Sequence, residues 1–345
     1  MGYRYIGNKT RILDWVLDAI ESVVPAGATI ADPMCGTASV SAGLKARGFR
    51  VIASDIMTYS FHHAQVRLLL DEPPPFAALD MHDGYAAVLD HLNHLEPRQG
   101  LFLREYSPAG SPEAGCEPRM YFTAENASRI DAIRAELKAW DDEGLLSSIE
   151  TALLRHDLVL AVNDVANIAG TYGHHRSKWS ASSRQQLTLS PYVFDQGPAN
   201  DHLALLGAVE DLAPDIVADL CYLDPPYMKR QYAANYHILE TLARGDDPQP
   251  VGVSGLRDWW DQYSNFCSKR NIHDSLETVL RKMGCSEFLI SYSEDGLIPM
   301  DQLLDFLAEF GTVSVDTLTH QRFRSNDSPL RSEVTEFLIH VSGVL

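Results

Sequence analysis

Basic residues are scarce in this chain: 28 Lys and Arg stand against 47 Asp and Glu over 345 residues, a formal charge of −19. That balance argues against a protein that coats nucleic acid through net charge alone, while leaving room for a local basic groove on an acidic body. Cysteines are also few. Cys35, Cys116, Cys221, Cys267 and Cys285 are odd in number and contain no C-x-x-C pair, which disfavours a disulfide framework or a zinc cluster and fits a reducing, cytoplasmic setting. The 13 histidines lack metal-ligand spacing, so no metal site is expected, and His62–His63 reads as surface. No run of about 18 uncharged apolar residues occurs, which disfavours a membrane span. The opening MGYRYIGNKTR has charge but no apolar stretch behind it, so a secretory signal is not expected. Repeats and low-complexity tracts are absent too.

What is present is 45% hydrophobic, enough to bury a core in one large domain or two medium ones. Apolar residues at Ile12, Leu13, Val16, Leu17, Ile20, Val23 and Val24 have the spacing of an amphipathic helix. A short strand over 28–32 then runs into the turn Pro33–Thr37. Helix returns over 39–47 and is closed by Gly48; a second strand over 49–54 ends at Asp55. Strand, turn, helix, strand and acid make the frame of a nucleotide-binding α/β half. The pattern weakens from Pro73 to about Gly100, and 105–118 (EYSPAGSPEAGCEP) reads as a mobile loop. Helices are expected over 127–140 and 145–165, and a polar loop over 170–184. Strands are expected at 216–223, 287–292, 312–316 and 336–341. The class is therefore α/β with a helical, loop-rich insertion.

Three constellations carry chemistry. Asp224-Pro225-Pro226-Tyr227 directly follows an apolar strand. Two successive prolines fix two φ angles and remove two backbone donors. The result is a stiff turn that presents a carboxylate and a backbone carbonyl as acceptors beside an aromatic ring. An amino group on a ring needs just such a pair of acceptors and a face to stack on; the plain alternative is a strand-end turn with a capping Asp. The second constellation is Asp32-Pro-Met34-Cys35-Gly36-Thr37. Its glycine lets the backbone approach a ligand, and the helix after it points N–H groups there. It lacks G-x-G-x-x-G, which disfavours a dinucleotide. Asp55, about 20 residues on, has the placement of a ribose-binding acid. The third is 3–9 (YRYIGNK), where Gly7-Asn8 reads as a turn with Tyr5 and Lys9 set to flank a small ligand.

The residues together resemble the Dam-related adenine-specific DNA methyltransferases in their alpha arrangement, and within these the branch found with type IIS restriction systems. The matching pieces run along nearly the whole chain: RYIGNK at 4–9, DPMCGTAS at 32–39, ASDI at 53–56, YFTAENASRIDAIR at 121–134 and VANIAGTYG at 165–173. They continue with YLDPPYMKRQYAANYHILETLAR at 222–244, GLR at 255–257, SYSEDGL at 291–297 and HQRFRSN at 320–326. The resemblance implies an α/β, Rossmann-like S-adenosylmethionine-dependent methyltransferase fold with a mixed sheet. Its cofactor-binding part would occupy 1–85 and an inserted target-recognition region 86–150. The catalytic domain would continue over 151–345, with a DNA-contact loop near 171–184.

On these positions the resemblance places S-adenosylmethionine against Tyr5, Gly7, Lys9, Asp32, Met34, Cys35, Gly36, Thr37, Asp55, Ile56 and Asp224. Asp224, Pro225, Pro226 and Tyr227 would be catalytic, acting on an adenine flipped out of the duplex. DNA contacts would come from His174, His175, Arg176, Lys178, Lys229, Arg322 and Arg324. The implied activity is methylation of adenine N6 in double-stranded DNA, by a monomer or weak dimer, in restriction–modification or phage defence with a cognate restriction endonuclease. Methylation of a cytosine amino group or of RNA adenine, and a DNA-binding relic without turnover, are the alternatives. Two departures stand out: Met34-Cys35 occurs where the family more often has an aromatic or small residue, and His174–Lys178 replaces a more apolar stretch.

Overall fold

The computed structural model describes residues 7, 9–112, 117–198, 201–321 and 333–344. In chain order the elements are α1 (Leu13–Val23), β1 (Thr29–Asp32), α2 (Ser39–Ala46), β2 (Arg50–Asp55), α3 (Thr58–Leu69), α4 (Gly84–Asn93), α5 (Leu101–Tyr106), α6 (Ala124–Asp142) and α7 (Ser148–Val165). Then come β3 (Leu203–Leu206), α8 (Val209–Leu212), β4 (Leu220–Leu223), α9 (Tyr232–Asn235), α10 (His237–Arg244), α11 (Ile272–Lys282), β5 (Glu287–Ser293), α12 (Met300–Leu307), β6 (Thr312–Gln321) and β7 (Glu333–Ser342). The described residues form two compact units, one within 7–71, 195–232 and 262–345, the other within 72–194 and 233–261.

The first unit holds the sheet, in the order β3-β2-β1-β4-β5-β7-β6. The first five strands are parallel, and β7 is antiparallel to both β5 and β6. Alternate residues serve opposite faces, as a pleat requires. Ile30, Val51, Ala53, Leu220, Tyr222 and Leu289 pack with α1, α2 and α3, while Ala31, Ile52, Cys221, Leu223, Phe288 and Ile290 pack with α8, α11 and α12. Both faces are covered, which is why β4 reads as an uninterrupted apolar run. From β1 the chain builds outward through β2 and β3, and from β4 through β5 in the other direction. The order reverses between β1 and β4, and ligands bind at such a switch point, beyond the carboxyl ends of the strands. Asp32 ends β1 and Asp224 follows β4 there.

The second unit is helical. Ser147 and Glu150 form a reciprocal capping box that starts α7, and the Thr123 side chain caps α6. This unit takes in 72–194 and 233–261. The weak region 73–100 contains α4, whose buried residues Tyr85, Val88, Leu89 and Leu92 are spaced as a helix requires. Glu105, read as part of a mobile loop, instead lies buried in α5 and pairs with Arg119. In the sheet unit, His62 and His63 are buried, contrary to the expected surface placement. Both lie on α3, which runs against β2 and β3; His63 meets Tyr59 edge-on, and the His62 ring contacts Gln65.

Candidate active site

The turn after β1 is shaped by backbone hydrogen bonds and by one acid. Gly36 and Ala38 both adopt positive φ, +53° and +54°, a conformation that costs an L-residue of order 1 kcal/mol and persists only where its surroundings enforce it. The enforcement is visible. Cys35 N donates to the Ser54 carbonyl at 3.0 Å, Ala38 N to the Cys35 carbonyl at 2.7 Å, and Ser54 Oγ to the Pro33 carbonyl at 3.2 Å. Gly36 N donates to Asp55 Oδ2 at 2.9 Å, while Met57 N donates to Asp55 Oδ1 at 2.8 Å. Asp55 therefore ties the turn after β1 to the turn after β2, using both carboxylate oxygens. Ile56 is fixed alongside, its carbonyl accepting from Gln262 Nε2 at 2.8 Å.

Asp32 is buried, and Ser41 Oγ donates to its Oδ2 at 2.6 Å. Burial pushes its carboxyl up to about 7, against the Ser41 hydrogen bond and with help from the negative charges of Asp224 and Asp55. Three acids thus converge at the ends of β1, β2 and β4.

The turn after β4 is braced from β5 and the segment behind it. Pro225 is buried. Leu297 N donates to the Tyr227 carbonyl at 2.9 Å, and the Tyr227 ring meets Tyr292 edge-on at 5.7 Å. Tyr292 is itself fixed, its hydroxyl donating to the Ile298 carbonyl at 3.1 Å and accepting from Ile298 N at 2.8 Å.

Lys9 completes the cluster. It is buried, with Nζ 3.0 Å from Asp224 Oδ1, 3.7 Å from Glu336 Oε2 and 5.7 Å from the centre of the Tyr227 ring. Burial alone would lower the Lys9 pKa, but Asp224, with Tyr227, Tyr222 and Glu336 behind it, raises it well above that of a free lysine. Burial likewise pushes the Asp224 carboxyl upward, and the Lys9 ammonium and the Ser291 hydroxyl limit that rise. Gly7 precedes this lysine at φ +78°, and a Cβ there would meet the Tyr232 hydroxyl at 3.2 Å.

Glu336 was not anticipated. It sits on β7 between Val334 and Leu338, all three on the buried face of the strand. A charged residue at an inward position of an otherwise apolar strand was the available signal. Burial raises its carboxyl, its Oε1 accepts from the Tyr227 hydroxyl at 3.5 Å, and its Oε2 faces the Lys9 ammonium at 3.7 Å.

The expected residues Gly7, Lys9, Asp32, Met34, Cys35, Gly36, Thr37, Asp55, Ile56, Asp224, Pro225, Pro226 and Tyr227 all belong to the sheet unit. Lys229 is in the same unit and exposed. Tyr5, Arg322 and Arg324 lie outside the described residues. His174, His175, Arg176 and Lys178 belong to the helical unit, on a loop organised by buried Asn167. The Asn167 amide donates to the Met120 and Arg176 carbonyls at 3.0 Å each and accepts from Ser180 N at 3.2 Å. Among the described residues no group of acids, histidines and cysteines is arranged to hold a metal ion, and no helix is long and apolar enough to cross a membrane.

Comparison with known proteins adds the context. The family model for D12 class N6 adenine-specific DNA methyltransferases matches residues 5–308. The chain is 32% identical to the type II methyltransferase M.FokI of Planomicrobium okeanokoites over 98% of its own length and 52% of that protein. It is 30% identical to the modification methylase LlaI of Lactococcus lactis subsp. lactis, over 96% of this chain and 53% of that one. With the type II methyltransferase M.NlaIII of Neisseria lactamica it shares 29% identity over 95% of this chain and 94% of that one. The chain thus spans about half the length of the first two relatives and nearly all of the third.

Proposed function

The chain belongs to the D12 class of N6 adenine-specific DNA methyltransferases, and from that premise we propose that it methylates the N6 amino group of adenine in double-stranded DNA, as the modification enzyme of a restriction–modification system. The observation that carries this reading is the Lys9–Asp224 pair, set in the rigid Asp-Pro-Pro-Tyr turn beside the acid-lined turn after β1. The relatives' names support the restriction–modification setting, in which a cognate endonuclease would cut unmodified sites.

The residues fit S-adenosylmethionine as donor. Asp32, Asp55 and Asp224 line the switch point with acid, which suits a ligand carrying an ammonium and a sulfonium. Gly36, without a side chain and at positive φ, lets the backbone approach a ligand there. Lys9, Asp32, the 34–37 turn, Asp55 and Ile56 would hold it, and when bound it supplies an electrophilic methyl group.

The remaining work is done by the chain's own side chains. An adenine amino nitrogen is a weak nucleophile because its lone pair is delocalised into the ring. The Asp224 carboxylate and the Pro225 carbonyl accept its two hydrogens, which favours tetrahedral geometry at nitrogen and stabilises the positive charge that develops there. Tyr227, fixed edge-on by Tyr292, offers its ring as the stacking surface for the extruded base. Lys9 keeps Asp224 ionised within a buried site, where an unpaired carboxylate would otherwise take up a proton. Positioning and electrostatics account for catalysis on this scheme.

The reading is tested by incubating the protein with tritiated S-adenosylmethionine and unmethylated genomic DNA, then resolving the nucleosides. Label in N6-methyladenine supports it. Label in cytosine, or only when RNA is supplied, overturns it.

A further inference from the structure

In the helical unit, one short loop has the carbonyls of all six of its residues hydrogen-bonded. Val251 and Leu256 exchange two backbone hydrogen bonds of 2.8 Å, closing a hairpin in which Gly252 and Gly255 turn through φ of +70° and +68°. Beneath it lies Arg119, fully buried. Its Nη2 donates to the Gly252 carbonyl at 2.8 Å and its Nε to the Val253 carbonyl at 3.0 Å, while Nη1 pairs with the buried Glu105 carboxylate at 2.8 Å. The Tyr106 hydroxyl donates to the Gly255 carbonyl at 2.9 Å. The Tyr121 hydroxyl lies 2.7 Å from the Tyr172 carbonyl and 3.2 Å from that of Ser254. A Cβ on Gly255 would come within 2.9 Å of both Arg119 and Tyr106.

A buried ion pair is a weak source of stability. Its effect here is to hold one loop in one shape, and what that loop presents to solvent is apolar: Val253 is 76% exposed and Val251 54%. The neighbouring loop carries two exposed cations, Arg176 and Lys178. Ser254 Oγ donates to the Gly173 carbonyl and lies 3.5 Å from the His174 ring, and His175, Arg176 and Lys178 follow in that loop.

We propose that the 251–256 hairpin is a base-reading tip, with Val253 packing against the C5 methyl of a thymine in the major groove. The proposal rests on the DNA methyltransferase reading above and adds a specificity element to it. The cations of the adjoining loop suit phosphates, whereas an apolar tip gains nothing from phosphate. Base edges in the major groove present one apolar group, the thymine methyl. Valine is shorter than Phe, Leu, Ile and Met, the longer side chains that wedge between base steps, so contact with an edge fits it better than intercalation. A tip already locked by Arg119 has little conformational freedom left to lose on binding.

The test crosses a protein change with a DNA change. The same unmethylated genomic DNA is amplified with dTTP or with dUTP, and methylation by the wild-type chain and by Val253→Ala is measured on each. The wild-type rate on thymine DNA is read first; no methylation there overturns the methyltransferase reading and this inference with it. With activity established, Val253→Ala is expected to lower kcat/KM on thymine DNA by about 4- to 15-fold, the effect of one or two lost methyl contacts. On uracil DNA it should have little effect relative to wild type. Equal losses on both DNAs, or no loss on either, would overturn the thymine contact while leaving the methyltransferase reading intact.

Discussion

The Lys9 ammonium lies 3.0 Å from the Asp224 carboxylate, 3.7 Å from the Glu336 carboxylate and 5.7 Å from the centre of the Tyr227 ring. One buried cation thus faces two carboxylates, Glu336 buried and Asp224 partly exposed.

Replacing Lys9 with Met should be costly. Removing one partner of a buried pair leaves an uncompensated charge, worth about 3–5 kcal/mol. The variant is expected to unfold at a clearly lower urea concentration and to lose methyl transfer. A variant of wild-type stability would show that the pair is solvated in solution.

The pH profile tests which group sets the Asp224 titration. On the proposed scheme Asp224 acts ionised; burial raises its pKa, and Lys9 opposes that rise. Burial and the Asp224 charge in turn raise Glu336, so Asp224 ionises first and Glu336 is still neutral across that titration. Glu336→Gln should therefore leave the acid limb of the kcat/KM profile in place. A limb that moves in Glu336→Gln would show that Glu336 ionises before Asp224.

Asp157 of the helical unit gives a stability signature. Tyr85 donates to its Oδ2 at 2.7 Å, its Oδ1 has no hydrogen-bond partner among the described residues, and burial pushes its carboxyl from 3.8 up to about 8. The folded state therefore holds a proton that the unfolded state releases between roughly pH 4 and 8, and stability falls as pH rises through that window. Asp157→Asn retains an acceptor for Tyr85 and removes the titration. Urea unfolding should show a pH slope flatter by about 1.4 kcal/mol per pH unit in the variant. Parallel slopes would contradict the assignment.

The basic loop over 171–184 is tested by salt. Exchanging Arg176 and Lys178 for Ala should reduce the slope of log K against log salt by about 2, if both neutralise phosphates. An unchanged slope would place the DNA groove elsewhere.

Much of the site was legible because its chemistry is local. Asp224-Pro225-Pro226-Tyr227, the turn at 32–37 and Asp55 are short segments whose residue types already state a geometry, and β1, β2 and β4 are bounded by recognisable punctuation. The rest was hidden for identifiable reasons. Helix α4 lies between Pro73–Pro75 and Pro97, which mask its period. Strand β3 is a four-residue edge with Leu203 and Leu206 exposed, too short and too open to alternate. Glu336 and Lys9 meet only through the sheet, across most of the sequence. Asp55 shows a subtler case: the sequence announces an acid, and the structure shows both its oxygens holding backbone N–H groups, a role no spacing conveys.

The account stands or falls on Asp224. The decisive measurement is methyl transfer to unmethylated double-stranded DNA by the wild-type chain and by Asp224→Ala, alongside calorimetric binding of S-adenosylmethionine to both. N6-methyladenine from the wild type, with kcat lower by at least about 10²-fold in the variant and donor binding largely kept, is the predicted result. Full turnover by Asp224→Ala would contradict it.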